Sequence, residues 1–181
     1  TSTVRFEGNN YSDAWVKEAE KRGLLNLRRT PGALAQLQTP RAKTLFTSLG
    51  ILSKEELDSR YHIRMERYVK DMLIEMHTLK EIVDTMILPA AYAYQGGLAR
   101  AASEAKRAGI REVPQVERAN EVGALAKRLK ADRDALSKLI EKAEHMHESL
   151  EQCGTLVTGS GADAMAKVRA GSDALELLIP D

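Results

Sequence analysis

The chain has 181 residues and a mass of 20.0 kDa, which suits one domain or a large piece of one. Lys and Arg number 27 against 26 Asp and Glu, so the formal net charge is +1. A near-neutral chain gives no general electrostatic reason to expect nucleic acid or an anionic membrane as a partner. With two Phe, five Tyr and one Trp, it has few rings for a β-sandwich core or a base-stacking surface.

The single cysteine, Cys153, excludes an intramolecular disulfide and a thiolate metal cage, and it fits a reducing cytoplasm. No apolar run reaches the roughly 18–20 residues of a membrane helix, and residues 1–6 have no signal-peptide core. Without an initiator methionine, the sequence leaves open a processed chain or the cut end of a longer protein.

Residues 1–52 carry the signals of an extended arm and three short helices. Residues 4–7 alternate as a strand does. Polar caps and glycine stops then bound the helices. The predicted starts are Ser12, Thr30 before Pro31, and Thr39 before Pro40, and the predicted stops include Gly23 and Gly50.

The strongest pattern in the chain is one long helix. Ser53 and Glu56 form a capping box at its start. Apolar residues then recur at steps of three and four, which places them on one face of a helix. They are Leu57, Tyr61, Met65, Tyr68, Met72, Met76, Leu79, Val83 and Met86. Pro89 is expected to kink this helix rather than end it, and Gly109 is its predicted stop.

Two further helices are predicted after a short connector at residues 109–114. The second long helix runs from Pro114 to about Gln152, with Val122, Leu125, Leu129, Leu136, Leu139, Ala143, Met146 and Leu150 on its apolar face. Residues 153–161 contain three glycines and are predicted to form a loop, with Ser160 capping the third helix. The apolar face of the third helix is Met165, Val168, Leu175, Leu178 and Ile179.

These elements predict an all-α fold, namely an extended antiparallel three-helix bundle with a small N-terminal helical cap and one Pro-kinked long helix. At about 1.5 Å per residue, the first long helix would be longer than the second, and the short helices are the natural cover for its excess. Residues 1–52 are therefore expected to be the arm and cap, and residues 53–181 the bundle, as one structural unit.

A metal centre is the first alternative that the side chains raise. Glu144 and His147 form one Glu-x-x-His pair, with His145 between them. Di-iron bundles need two such pairs, and His62 and His77 have no glutamate three residues before them. We therefore predict no metal-binding residues, and surface histidines are the simpler interpretation.

Four other segments have an ordinary structural explanation beside a functional one. Residues 158–161, Thr-Gly-Ser-Gly, resemble a phosphate loop but lack its strand and its Lys. Cys153 has no basic neighbour that would make it reactive. The methionines of the long stripe could form an adaptable partner groove, although bundle core is the default. The basic stretch at residues 127–130 is matched by nearby acids. We predict no catalytic and no cofactor-binding residue.

Three ordered motifs resemble the segment that follows the catalytic domain in type III glutamine synthetases. They lie at residues 11–30 (from Tyr-Ser-Asp-Ala-Trp through Glu-Ala-Glu-Lys-Arg-Gly-Leu-Leu-Asn-Leu to Thr30), at residues 50–68 (Gly-Ile-Leu-Ser-Lys-Glu-Glu-Leu, Ser-Arg-Tyr, Glu-Arg-Tyr) and at residues 87–90 (Ile-Leu-Pro-Ala). From residue 91 onward only the helical pattern and order agree. Family members usually continue past the equivalent of residue 181 with a short tail that contains Trp and Pro.

The resemblance implies a non-catalytic, structural or intersubunit fragment of a cytoplasmic enzyme. The parent enzyme would condense glutamate, ATP and ammonia with Mg or Mn, using upstream domains that this chain does not match. The implied partners are those upstream domains and the neighbouring subunits of a ring-shaped homo-oligomer, with no nucleic acid and no membrane. The alternative is a free-standing helical interaction module without enzyme activity.

Overall fold

The computed structural model describes residues 5–146 and 149–180, and all regular structure in these two ranges is helical. This confirms the all-α class. The α-helices are α1 (Asp13–Lys21), α2 (Thr30–Ala35), α3 (Pro40–Ser48), α4 (Lys54–Ile82), α5 (Leu88–Arg107), α6 (Gln115–Glu144), α7 (Leu150–Leu156) and α8 (Ala162–Glu176). A 3₁₀ turn, Gln36–Gln38, and two π turns, Val83–Ile87 and Val157–Gly161, join neighbouring helices. Within the described residues, no helix is both long and apolar enough to cross a membrane.

The chain divides into two compact units, residues 1–61 and residues 62–181. In the first unit, Val4 of the predicted arm lies outside the described residues, and residues 5–7 form no strand. The Phe6 ring instead packs on Trp15 of α1 with 4.7 Å between ring centroids, and the Arg22 guanidinium lies over the same indole. One aromatic pair thus holds this part of the arm against α1.

The predicted helix boundaries in this unit are nearly all correct. Ser12 precedes α1, and Gly23 and Gly50 adopt the positive φ that favours glycine at a helix end. Thr39 caps α3, since its hydroxyl accepts a hydrogen bond from the Ala42 amide at 3.2 Å. The predicted start at Thr30 is correct, but its predicted capping role is wrong, because Thr30 is the first residue of α2 and Arg29 is the cap residue.

The capping box at the start of α4 is confirmed in both directions. The Glu56 amide donates to the Ser53 hydroxyl at 3.1 Å, and the Ser53 amide donates to the Glu56 carboxylate at 2.7 Å. Two amides that the helix itself cannot satisfy are thereby paired. The box fixes the residue at which α4 begins, and hence the phase of its apolar face.

The apolar stripe follows the prediction through Val83 and then departs from it. Each stripe residue up to that point is buried or half-buried, but Met86 is 64% exposed. Both residues belong to the first π turn, Val83–Ile87, and the amide of Leu88, which follows the turn, donates to the Val83 carbonyl five residues back. A π turn adds one residue to the helical turn and so rotates the following residues by about 100°. Leu88 and Ala91 are consequently buried instead.

Pro89 is the second residue of α5, two positions after the last residue of the first π turn, and the helical path continues through it as predicted. Proline has no amide hydrogen and cannot make the ordinary bond to the carbonyl four residues earlier. The wide turn accommodates this loss. At the far end of α5, Gly109 has φ +83° and ends the helix as expected.

The predicted end of the second long helix and the predicted loop at residues 153–161 were wrong. α6 ends at Glu144 rather than near Gln152, and the predicted loop at residues 153–161 is helical. The overlooked signal is Ser149, whose hydroxyl accepts from the Gln152 amide at 3.3 Å and caps α7. One of the three glycines serves packing, because a Cβ on Gly161 would lie 3.3 Å from the Met76 sulfur.

The core of the second unit draws on every helix from α4 to α8. α6 packs against both α5 and α8. All the predicted apolar residues of α6 are buried or half-buried, and Leu129 packs against Gly171 of α8. The finer prediction of an extended three-helix bundle with an N-terminal cap stays a prediction.

Two methionines separated by ten residues test this packing. Replacing the fully buried Met76 with Ala should lower the free energy of unfolding by about 2–5 kcal/mol, through lost contacts and a cavity. Replacing the exposed Met86 with Ala should change it by less than about 0.5 kcal/mol. Urea unfolding of dilute protein measures both, and equal losses would contradict the rotation at the first π turn.

Candidate functional sites: buried polar groups and exposed apolar surfaces

The structure describes three of the four histidines, and two of these lie at or near the end of α6 or pair with it. His145 lies at the end of α6, and its Nδ1 is 2.6 Å from the Glu141 carbonyl oxygen. His147 lies outside the described residues. Glu144 pairs with His77 of α4, whose Nε2 is 2.9 Å from its carboxylate. In residues 5–146 and 149–180, no three His, Cys, Asp or Glu side chains lie close enough to hold a metal ion.

The pairing of His77 with Glu144 was missed because it joins two helices. The residues are 67 apart in the sequence, and a spacing motif within one helix cannot reveal such a pair. The pair is about half exposed, so it links the surfaces of α4 and α6 and lies outside the core.

Residues 158–161 form most of the second π turn and not a phosphate-binding loop. Thr158 is buried and donates to the Tyr68 hydroxyl at 2.9 Å. Ser160, expected to cap the third helix, is exposed within a continuous helical path. It borders a small pocket of about 280 Å³ with Asp132, Asp163 and Lys167. The two carboxylates repel phosphate, so this pocket does not favour that ligand.

Cys153 is buried on α7, and its Sγ lies 3.6 Å from the Ala143 carbonyl oxygen of α6. Burial raises the pKa of the Cys153 thiol. The thiolate is the nucleophilic form, so a raised pKa lowers reactivity at neutral pH. The geometry agrees with the structural interpretation of this cysteine.

The first unit exposes many of its large apolar side chains. α2 and α3 contain no buried residue, and α1 buries only Ala19. The exposed set is Tyr11, Leu24, Leu25, Leu27, Leu45, Leu49 and Ile51. We call these seven residues the N-terminal apolar surface.

The second unit has an apolar groove beside the first π turn. It has a volume of about 520 Å³ and is open to solvent. Met86, turned outward by the π turn, lies on its wall. The other lining residues are Leu79, Ile82, Ile87, Ala90, Arg169, Ser172, Asp173, Leu175, Glu176, Ile179 and Pro180. We call this feature the π-turn groove.

The sequence patterns could predict only part of the lining of this groove. Among the four stripe methionines, Met86 is the one that lines this groove, since Met65 and Met76 are fully buried and Met72 is half-buried. The alternative of a partner groove formed by these methionines stays a prediction. Proline at position 89, within a helix that continues, was the available signal of a register change. The contribution of α8 could not be found without the tertiary packing.

All regular structure in residues 5–146 and 149–180 is helical, and large apolar side chains are exposed in both units. Residues 1–106 match the family model described as the glutamine synthetase C-terminal domain, which is more than half of the chain. The chain therefore belongs to the glutamine synthetase C-terminal domain family.

Two relatives that match nearly the whole length of this chain agree with this assignment. The chain is 36% identical to a glutamine synthetase of Butyrivibrio fibrisolvens over 98% of its own length and 26% of the relative. It is 32% identical to the type-3 glutamine synthetase of Dictyostelium discoideum over 98% of its length and 25% of that protein. The chain thus spans about a quarter of the length of these relatives.

The two glycines of the second π turn test the packing role of Gly161. Gly161→Leu should lower the free energy of unfolding by about 1–3 kcal/mol, because the new side chain meets Met76. A Cβ on Gly159 would meet no such neighbour within 4 Å, so Gly159→Leu should be neutral or stabilising by up to about 1 kcal/mol. Thermal melting compares the two, and equal destabilisation would contradict the packing role of Gly161.

The burial of Cys153 predicts slow alkylation. In the folded protein at pH 8, iodoacetamide should modify Cys153 at least about tenfold more slowly than in the unfolded chain, because burial both blocks access and raises the thiol pKa. Mass spectrometry at timed intervals gives both rates. Equal rates would show that the thiol is accessible and reactive.

Proposed function

We propose that this chain is the C-terminal helical domain of a type III glutamine synthetase and acts in the structure of that enzyme. The type-3 name of one relative and the three motifs at residues 11–90 support the subtype. The chain's length, a quarter of its relatives, supports a role as one part of a larger polypeptide.

The observation that carries the structural role is the N-terminal apolar surface. Seven large apolar side chains are exposed in residues 5–61, where only Ala19, Leu57 and Tyr61 are buried among the apolar residues. Covering apolar surface yields roughly 25 cal/mol for each Å² removed from water. A partner that covers this surface would therefore stabilise both itself and the first unit.

The partner we propose for this surface is the catalytic part of the same polypeptide, with neighbouring subunits of a ring-shaped homo-oligomer as further contacts. About three quarters of each relative lies outside the stretch that matches this chain. That part would supply the ligation of ammonia to glutamate, together with the sites for ATP and for Mg or Mn. The assembly would work in the cytoplasm, and no step of the reaction is assigned to residues of this chain.

The apolar helix face of α3 offers a direct test in the complete enzyme. Leu45→Asp combined with Leu49→Asp should leave the helicity of the 181-residue chain unchanged, because both side chains are exposed. In the complete enzyme, the same changes should prevent normal assembly and reduce glutamine formation, because charges would be buried at an apolar contact. Sedimentation and a glutamine-formation assay measure the two effects.

Thr44→Asp is the matched control, since it adds a charge to an exposed position of the same helix. It should leave assembly and activity unchanged. Full assembly and activity in the Leu45/Leu49 variant would refute the proposed docking role of this surface.

The size of the native polypeptide tests the parent enzyme itself. An antibody raised against the 181 residues should detect a band several times larger than 20.0 kDa in a lysate of the source cells. A band near 20 kDa alone would contradict the proposal and favour the free-standing interaction module.

A further inference from the structure

An exposed apolar residue is a close sequence neighbour of residues that line the π-turn groove. Leu177 follows α8 directly, between the lining residues Glu176 and Ile179, and is 86% exposed. Met86 on the groove wall is 64% exposed. A protruding apolar residue beside an apolar hollow makes the surface complementary to a second copy of itself. Such self-complementarity is what a two-fold symmetric interface requires.

The charges along the groove are also complementary to those of a second copy. Arg169 and Glu176 both line it and are seven residues apart on α8, which is about two helical turns and therefore one face. If two copies of α8 pack antiparallel about an axis near residues 172 and 173, Arg169 of each copy lies opposite Glu176 of the other. Both cross-pairs then join opposite charges.

The Arg169 guanidinium is suited to bind two carboxylates. Its Nε donates to Asp173 of the same helix at 2.7 Å. A guanidinium has five N–H donors, so the two Nη groups can serve a second carboxylate while Asp173 holds the group in place. Asp173 thus restrains the Arg169 side chain and leaves N–H donors for a second carboxylate.

We propose that the π-turn groove is a two-fold interface between two copies of this chain, in which Leu177 and Met86 supply the apolar contact and Arg169 pairs with the partner's Glu176. This proposal deepens the intersubunit role given above by naming the surface that a second subunit would use. Its test needs only the 181-residue chain, so its failure would leave the proposed contact of α3 with the catalytic part untouched.

Charge exchange at the two positions gives the sharpest test. The parent chain should show a concentration-dependent dimer in sedimentation equilibrium. Arg169→Glu and Glu176→Arg should each weaken it at least about tenfold, because each variant places like charges opposite one another twice. An equimolar mixture of the two variants should associate again, since every cross-pair in the mixed dimer joins opposite charges.

The apolar contact has its own variant and a matched control. Met86→Lys should abolish the dimer, because it brings a charge into the groove. Ile74→Lys should not, since Ile74 is equally exposed at 62% on the same helical stretch but does not line the groove. Circular dichroism should show unchanged helicity in every variant.

Three outcomes would overturn the proposal. The first is a parent chain that stays monomeric up to about 1 mM, where even a millimolar complex would be half formed. The second is a dimer that none of the groove variants weakens. The third is a mixture of the charge variants that associates no better than each variant alone.

Discussion

The missing amide hydrogen of Pro89 is the constraint on which the second unit depends most. A regular helix cannot pass this residue with all its hydrogen bonds intact, and the chain passes it by widening the preceding turn. The wider turn rotates everything after Val83. It brings Leu88 and Ala91 into the core that α6 completes, and it leaves Met86 on the surface.

The first π turn is also held from outside its own helix. Arg133 of α6 lies with its Nε 2.7 Å from the carboxylate of Asp84, a residue of the turn, and it contacts Asp134 at 2.9 Å. These groups are only partly exposed, so their mutual attraction is less screened than that of a surface pair. The Arg133–Asp84 ion pair therefore ties α6 to the turn and favours the register that exposes Met86.

Local signals in the sequence predicted most of the helix boundaries. Caps such as Thr39 and Ser53, and glycine stops such as Gly109, act through bonds to their own neighbours and need no tertiary contact. The loop prediction for residues 153–161 was wrong because three glycines in nine residues usually indicate a loop. Here Gly161 instead leaves the space in which Met76 packs. The rotation of the buried helix face after Val83 could not be predicted either. The apolar residues keep their steps of three and four up to Met86, so the sequence pattern does not reveal the one residue that the π turn adds.

The functional surfaces were harder to predict than the fold for a physical reason. A sequence shows which residues are apolar but not which of them the tertiary structure leaves uncovered. Met86 and Met76 have the same side chain and belong to the same periodic stripe, yet one is exposed and the other has no exposed surface. The family, by contrast, rested on ordered motifs at residues 11–90 and did not depend on knowing the packing.

The contrast between these two methionines has a chemical consequence. Oxidants convert exposed methionine to its sulfoxide far more readily than buried methionine, and the product is polar. Met86 would therefore be oxidised first, while Met76 is shielded beneath Gly161. Oxidation would change the π-turn groove from apolar to polar and leave the core intact, and methionine sulfoxide reductases could reverse it.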